Sequence, residues 1–268
     1  MNIRDEAVLR ELNLYPLWVR RGIPATVEAI PATSAPVVES QAVAPVPGEV
    51  IIKPAESQTD TRQSAAAFVK PVQSADEGLN LSGFSLLNWT ELKQKVRDCT
   101  ACKLRAGCSQ TVFGVGDENA EWLFVGEGPG ADEDAQGEPF VGQAGKLLDN
   151  MLASIRLKRG NNVYIANIVK CRPPGNRAPE PDEIAACLPY LHRQIALIKP
   201  KLIVALGKTA ATSLLGRDAS LGSLRGAIHD CHGTPLIVTY HPAYLLRSPA
   251  EKAKAWQDLC FARQRMQT

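Results

Sequence analysis

The rhythm of apolar and polar positions changes along the chain and divides it into three parts. Residues 3–15 (IRDEAVLRELNLY) repeat apolar positions near helical spacing, which predicts a short amphipathic helix in 1–21, followed by Trp18 and the basic pair Arg20 and Arg21. From Gly22 to Asn80 that periodicity stops. Ala, Pro, Ser, Val, Gln and Glu dominate, Phe68 is the sole aromatic residue, and prolines recur at 24, 31, 36, 45, 47, 54 and 71. So few large apolar side chains cannot offset the entropy of ordering, so 22–80 reads as a flexible linker, with a short strand at GEVIIK as the alternative. A helix on a long tether is the form of a docking peptide for a protein partner; a leader without a partner is the plainer reading.

After residue 80 the pattern becomes regular. WTELKQKVRDC has helical periodicity, and EWLFVGEG, NVYIANIV, PKLIVALG and PLIVTYHP are short apolar runs rich in β-branched residues that end in Gly, Asn or Pro. Continuous apolar runs of that length predict strands buried on both faces. Helix-length segments separate or follow them: GQAGKLLDNMLASIR, PDEIAACLPYLHRQIALI, KTAATSLLG and PAEKAKAWQDLCFARQRM. The alternation predicts, over 81–268, a three-layer α/β/α sandwich around a four-stranded, mostly parallel sheet, preceded by a disordered N-terminal extension. Ligands of such sheets bind beyond the carboxyl ends of the strands. That directs attention to Gly126–Phe140, Asn167–Arg177, Gly207–Thr209 and His241–Arg247.

Composition narrows the class. No run of eighteen apolar residues occurs, and the first residues are charged rather than apolar, so neither a membrane span nor an export signal is expected and a cytoplasmic, monomeric protein is. Net charge is +2, but residues 1–80 carry seven Lys/Arg against ten Asp/Glu while 81–268 carry 23 against 18. The second part is compatible with a polyanionic partner.

Seven cysteines are an odd number and poor material for a disulfide framework, but in a reducing compartment they can serve as metal ligands. Cys99 and Cys102 form a C-x2-C pair, and Cys171 and Cys187 flank a Pro-rich segment; Cys108, Cys231 and Cys260 are left over. Four thiolates from two distant stretches suit zinc or an iron-sulfur cluster, and the open second pair leans toward a [4Fe-4S] cubane without deciding it.

The strand-end loops carry the other candidates. Glycines 126, 128 and 130 permit sharp turns and close approach of a ligand, but Pro129 and the acidic run Asp132-Glu133-Asp134 disfavour a phosphate cradle, and no G-x-G-x-x-G is present. Carboxylates at a sheet mouth suit positioning a water or stabilising a cationic transition state; a solvated acidic loop is the bland alternative. The side-chain amide of Asn167 donates and accepts at once, which matches a nucleobase edge as well as a strand-ending turn. Tyr240–Arg247 brings an imidazole, His241, with Leu245-Leu246 as a possible wedge beside Arg247.

GEGPGADEDAQGEPFVGQAGKLLD, NIVKCRPPGNRAPEPDEIAAC and HPAYLLR resemble the signature stretches of type-4 uracil-DNA glycosylases, the iron-sulfur members of the uracil-DNA glycosylase superfamily. The resemblance runs from Cys99 to the C-terminus and leaves residues 1–80 outside. It implies a base-excision DNA repair enzyme that flips uracil out of DNA and hydrolyses its N-glycosidic bond. By resemblance Cys99, Cys102, Cys171 and Cys187 hold a [4Fe-4S] cluster of mainly structural role. Phe140 stacks on the base, Asn167 reads its edge, His241 hydrogen-bonds O2, and Glu127, Gly128 and Asn176 line the pocket, with Tyr164 a further candidate. Arg172, Arg177, Leu245, Leu246 and Arg247 face DNA. Gly128 stands where type-1 enzymes carry an aspartate, so Glu133 is the preferred partner of the water, with Asp132, Asp134 and Asn176 also considered. A catalytically silent uracil-DNA-binding module, or an interaction subunit of a DNA-processing complex, is the competing reading of the same residues.

Overall fold

The computed structural model describes Phe84 and residues 86–267. The helix expected in 1–21, the linker and GEVIIK lie outside the described residues. Six strands form one sheet in the order β1-β3-β2-β4-β6-β5: β1 Val115–Gly116, β2 Trp122–Gly126, β3 Val163–Asn167, β4 Leu202–Leu206, β5 Ile228–Cys231 and β6 Thr234–Thr239. The four expected strands are β2, β3, β4 and β6, which pair in parallel. The expectation of four strands in all is corrected to six, because β1 and β5 add antiparallel edges. Two residues make β1, and β5 (IHDC) is largely exposed, so neither leaves an apolar run in the sequence.

Among the described residues eight α-helices accompany the sheet: α1 Trp89–Arg97, α2 Ala131–Gln136, α3 Gln143–Ser154, α4 Pro181–Ile198, α5 Lys208–Leu215, α6 Leu221–Leu224, α7 Pro242–Arg247 and α8 Lys252–Gln267. Local chemistry sets several starts. In α1 the Asn88 Oδ1 accepts from the Glu91 N–H (3.0 Å) while the Asn88 N–H donates to the Glu91 carboxylate (2.8 Å), a reciprocal capping box. Helix α4 begins with Pro181 in its first turn, where a missing N–H costs nothing.

Strand residues alternate between two cores. Trp122, Phe124, Val163, Ile165, Leu202, Val204 and Ile237 pack with Leu147, Leu148 and Leu152 of α3 and Leu259 of α8. Leu123, Val125, Tyr164, Ala166, Ile203, Ala205 and Val238 pack with Leu92 of α1, Leu191 of α4 and Leu214 of α5. Both faces are therefore covered, as parallel strands require. Register places Gly126 opposite Asn167 and Leu206 opposite Thr239, so the loops after β2, β3, β4 and β6 leave along one edge of the sheet.

Candidate functional site at the strand ends

A pocket of about 400 Å³ opens at that edge. Of the residues expected there, Glu127, Gly128, Glu133, Phe140, Asn167, Asn176, Arg177, His241 and Arg247 line it; Pro173 and Tyr244, inside the expected segments but not singled out, and Ala144, outside them, line it too. At its floor Asn167 is 2 % exposed, and its Oδ1 is buried without a hydrogen-bond partner among the described residues. A buried acceptor left without a partner costs about 1–3 kcal/mol, so its retention points to a ligand donor. Gly126 creates the room: a Cβ there would come within 2.5 Å of both the Asn167 Oδ1 and the Phe140 ring.

Phe140 is buried and held with φ at 56°, a region non-glycine residues rarely enter. The surroundings impose it. Arg159 donates to the carbonyls of Pro139 and Phe140, both at 2.8 Å, and its Nε to Asp149 at 3.0 Å. Gly145 packs so closely beneath the Phe140 carbonyl that any Cβ would collide with it. The Phe140 ring lies 5.5 Å from that of His241, tilted by 31°.

His241 caps α7: its Nδ1 accepts from the Ala243 N–H at 3.2 Å. In a neutral imidazole that leaves the proton on Nε2. Desolvation, helped by the Arg247 cation and opposed by Glu133, pushes the His241 pKa down to about 4, so the ring is neutral near pH 7. Glu133 also lines the pocket. Its carboxylate accepts from the N–H groups of Gly130 (3.0 Å), Val141 (2.9 Å) and Gly142 (3.1 Å), tying α2 to the loop that carries Phe140.

Several expected residues are placed elsewhere or are held by other partners. Leu245 is 1 % exposed in the core beneath α7, so it is not at the surface where a DNA contact was expected; Leu246, 44 % exposed, is the member of that pair that faces out. Helical geometry, which turns neighbouring side chains about 100° apart, separates the two. Tyr164 points to the other core, within reach of Gln194 and beside Trp89, away from the pocket. Asp134 is spent on the N–H of Ser109, and Asp132 does not line the pocket. Arg177 is committed to Glu183 by two bonds (2.8 and 2.7 Å) and to the Ala178 carbonyl, so it anchors its loop to α4. Arg172 braces Asn176, donating to its Oδ1 at 2.7 Å.

Behind the pocket, Cys99, Cys102, Cys171 and Cys187 line a second, narrow cavity with Lys170 and Tyr190. Among the described residues no group of three His, Cys, Asp or Glu is drawn into a metal-ion site. The donor set is nonetheless suited to a soft metal centre: four thiols with few competing polar groups, two receiving backbone N–H groups, Ala101 to Cys99 (3.5 Å) and Lys170 to Cys187 (3.2 Å). Burial raises the Cys102 and Cys171 thiols, and pushes Cys187 up to about 11. Cys108 stands beside Cys171, so it is less remote from this cavity than a spare thiol would be. Lys170, 1 % exposed, lines this cavity and reaches back to the end of β3: its Nζ donates to the Asn167 carbonyl (2.9 Å) and to Gln194 (2.7 Å), and burial lowers its pKa to about 8. Lys170, Arg159 and Tyr244 were not singled out individually from the sequence, because nothing local marks a cation that folds inward or a tyrosine that folds to a rim.

A mostly parallel sheet with a buried amide, a buried aromatic ring and a neutral histidine at its strand ends has the form of a base-binding domain, and comparison with known proteins gives its family. The family model described as the uracil DNA glycosylase superfamily matches residues 113–260, and the chain belongs to that superfamily. Within it, the chain is 44% identical over 165 residues to the type-4 uracil-DNA glycosylase of Thermotoga maritima, covering 61% of this chain and 85% of the relative. The type-4 uracil-DNA glycosylase of Pyrobaculum aerophilum is 42% identical over 179 residues (64% and 91%), and that of Archaeoglobus fulgidus 43% over 167 residues (59% and 83%).

Proposed function

We propose that this chain is a DNA repair hydrolase that cleaves the N-glycosidic bond of uracil in DNA, releasing free uracil and leaving an abasic site. The observation that carries the reading is the buried, unpartnered Oδ1 of Asn167 in the floor of a pocket flanked by Phe140 and His241. Uracil presents an N3–H to such an acceptor and O4 to the amide N–H; cytosine presents the reverse at both positions. The base must leave the stack to reach this depth.

Phe140 offers its face to the flipped base. As the bond breaks, negative charge grows on O2 of the leaving uracil, and the Nε2–H of neutral His241 donates to it. One such preorganised donor lowers the barrier by about 3–4 kcal/mol. Positive charge grows on the sugar, and Glu133 supplies a fixed counter-charge. An ionised carboxylate has about four lone-pair sites; three of those of Glu133 are taken by backbone N–H groups, which leaves one to accept from the attacking water. Glu127 and Gly128 line the pocket by their backbone, and a Cβ at residue 128 would come within 2.8 Å of Val169. Arg172, Leu246 and Arg247 face the DNA strand, the arginines toward phosphate.

The donor set of the four-cysteine cavity suits a [4Fe-4S] cluster, which Cys99, Cys102, Cys171 and Cys187 would hold. When bound, such a group supplies a covalent staple and a redox-capable centre. The chain's own residues there join α1, the loop after β3 and α4, and so hold the segment from Lys170 to Arg177 against the pocket. Residues 1–21 are proposed as a docking helix for a protein partner, on a linker over 22–80.

The test is incubation of the purified protein with single- and double-stranded oligonucleotides containing one uracil, followed by alkali. Strand scission at the uracil is expected, with Asn167→Ala and His241→Ala lowering the rate by about a hundredfold or more. Binding without scission by the wild-type protein would refute the hydrolase reading in favour of a silent binding module. Cys171→Ser is expected to lose the visible absorbance of the cluster; a variant retaining both absorbance and fold would refute the ligand assignment.

A further inference from the structure

We infer that Tyr244 forms a stacking subsite for the nucleobase adjoining the flipped uracil, so that the protein grips two nucleotides of a strand rather than one. The inference rests on the reading of the pocket as a uracil site. Tyr244 stands on α7 at the pocket rim, 38 % exposed, one helical turn from Arg247, which lines the same pocket.

Its ring is held in place. It stacks on Tyr240 with centroids 5.3 Å apart and planes 12° from parallel. Tyr240 is anchored in turn by Arg225, whose guanidinium carbon lies 4.4 Å from the ring centre and whose Nη1 is 3.4 Å from the hydroxyl. Arg225 is locked by Asp258 through Nε (2.7 Å) and Nη2 (3.0 Å), and the buried Asp258 also accepts from the Thr239 hydroxyl at 2.8 Å. An ion pair, a cation over a ring and a ring on a ring thus run outward from β6 and α8 to a single half-exposed aromatic face. Ordering that face is done in the folded protein, before any ligand arrives.

A base is the fitting occupant because of where the face lies. A strand that delivers one nucleotide into the pocket carries the next across its rim, and every base has a π-face, so stacking there tolerates any sequence. Arg247, on the same side of the same helical turn, is placed for the phosphate that joins the two nucleotides.

The test measures binding of the full-length protein to single-stranded oligonucleotides that carry 2′-fluoro-deoxyuridine, which resists hydrolysis. The neighbour is either intact or replaced by an abasic spacer on the 5′ or the 3′ side. Wild-type protein is expected to lose about tenfold in affinity with a spacer on one side, the scale of one base–aromatic stack. Tyr244→Ala is expected to lose about tenfold on the intact strand and then to be indifferent to that spacer, while Tyr244→Phe behaves as wild type. Tyr244→Ala binding the intact strand like wild type, or remaining sensitive to the spacer, would overturn the inference. Uracil release from ordinary oligonucleotides is measured alongside: its absence in the wild type refutes the hydrolase reading, whereas the stacking result is read from binding alone.

Discussion

At His241 a desolvated position, the Arg247 cation and the opposing Glu133 charge act on one imidazole, and the first two prevail. The consequence is a group that stays neutral where an ordinary histidine of pKa about 6.5 titrates. The pH–rate profile of uracil release is therefore expected to show no ionisation near 6.5 from this residue, with its loss of function lying near pH 4; titration of the ring by NMR checks the assignment. The sign for stability follows from the same depression. Below pH 6.5 the unfolded chain binds a proton at this histidine that the native state refuses until about pH 4, so stability falls with falling pH across that window. An inflection near 6.5 that disappears in His241→Gln would show that the ring is not held neutral. Asn167 is subject to a similar logic of retained cost: a buried acceptor without a partner is tolerated where a ligand is to supply one.

Among the elements, the start of α4 does more than begin a helix. Glu183 accepts from the Glu180 N–H at 2.7 Å as a capping residue and binds Arg177 through both carboxylate oxygens, with Lys103 nearby; Arg177 is the main cause of a pKa lowered to about 2. The pair couples the loop after β3, which lines the pocket through Pro173 and Asn176, to the helix that carries Cys187. Glu183→Gln is expected to cost roughly 2–3 kcal/mol at pH 7, less than a fully buried pair because Arg177 remains partly exposed. The depressed carboxylate stabilises the fold above its unfolded value near 4.5, and that contribution is lost as pH falls toward 2. Denaturant unfolding of wild type and variant should therefore differ at pH 7 and converge near pH 2. A constant difference across that range would show that the charge of Glu183 contributes nothing. In the same way α2 exists to hold a loop: six residues with three carboxylates form a helix because Glu133 caps Gly130 while reaching across to residues 141 and 142.

For the whole molecule, residues 113–260 match the family and the described domain contains both the pocket and the four cysteines. Removal of residues 1–80 is expected to leave uracil release within about twofold of the full-length rate while abolishing capture of any partner that binds residues 1–21. Loss of release on truncation would refute the division at residue 80. No described helix is long and apolar enough to cross a membrane.

Much of this was legible in the chain. The four parallel strands, the main helices, the paired cysteines and the polar residues at the strand ends all follow from local information: the period of apolar residues, the punctuation by Gly and Pro, and the spacing of chemical groups. Edge strands β1 and β5 escaped because an edge need not be apolar. What only the tertiary structure decided is which neighbours meet. Leu245 turns inward and Leu246 outward, Arg177 is taken by Glu183, Lys170 folds inward onto the Asn167 carbonyl and Gln194, and Tyr244 comes to rest on Tyr240 at the rim. Each of those outcomes depends on burial and on partners distant in the chain, which local periodicity does not encode and close packing of the finished fold does.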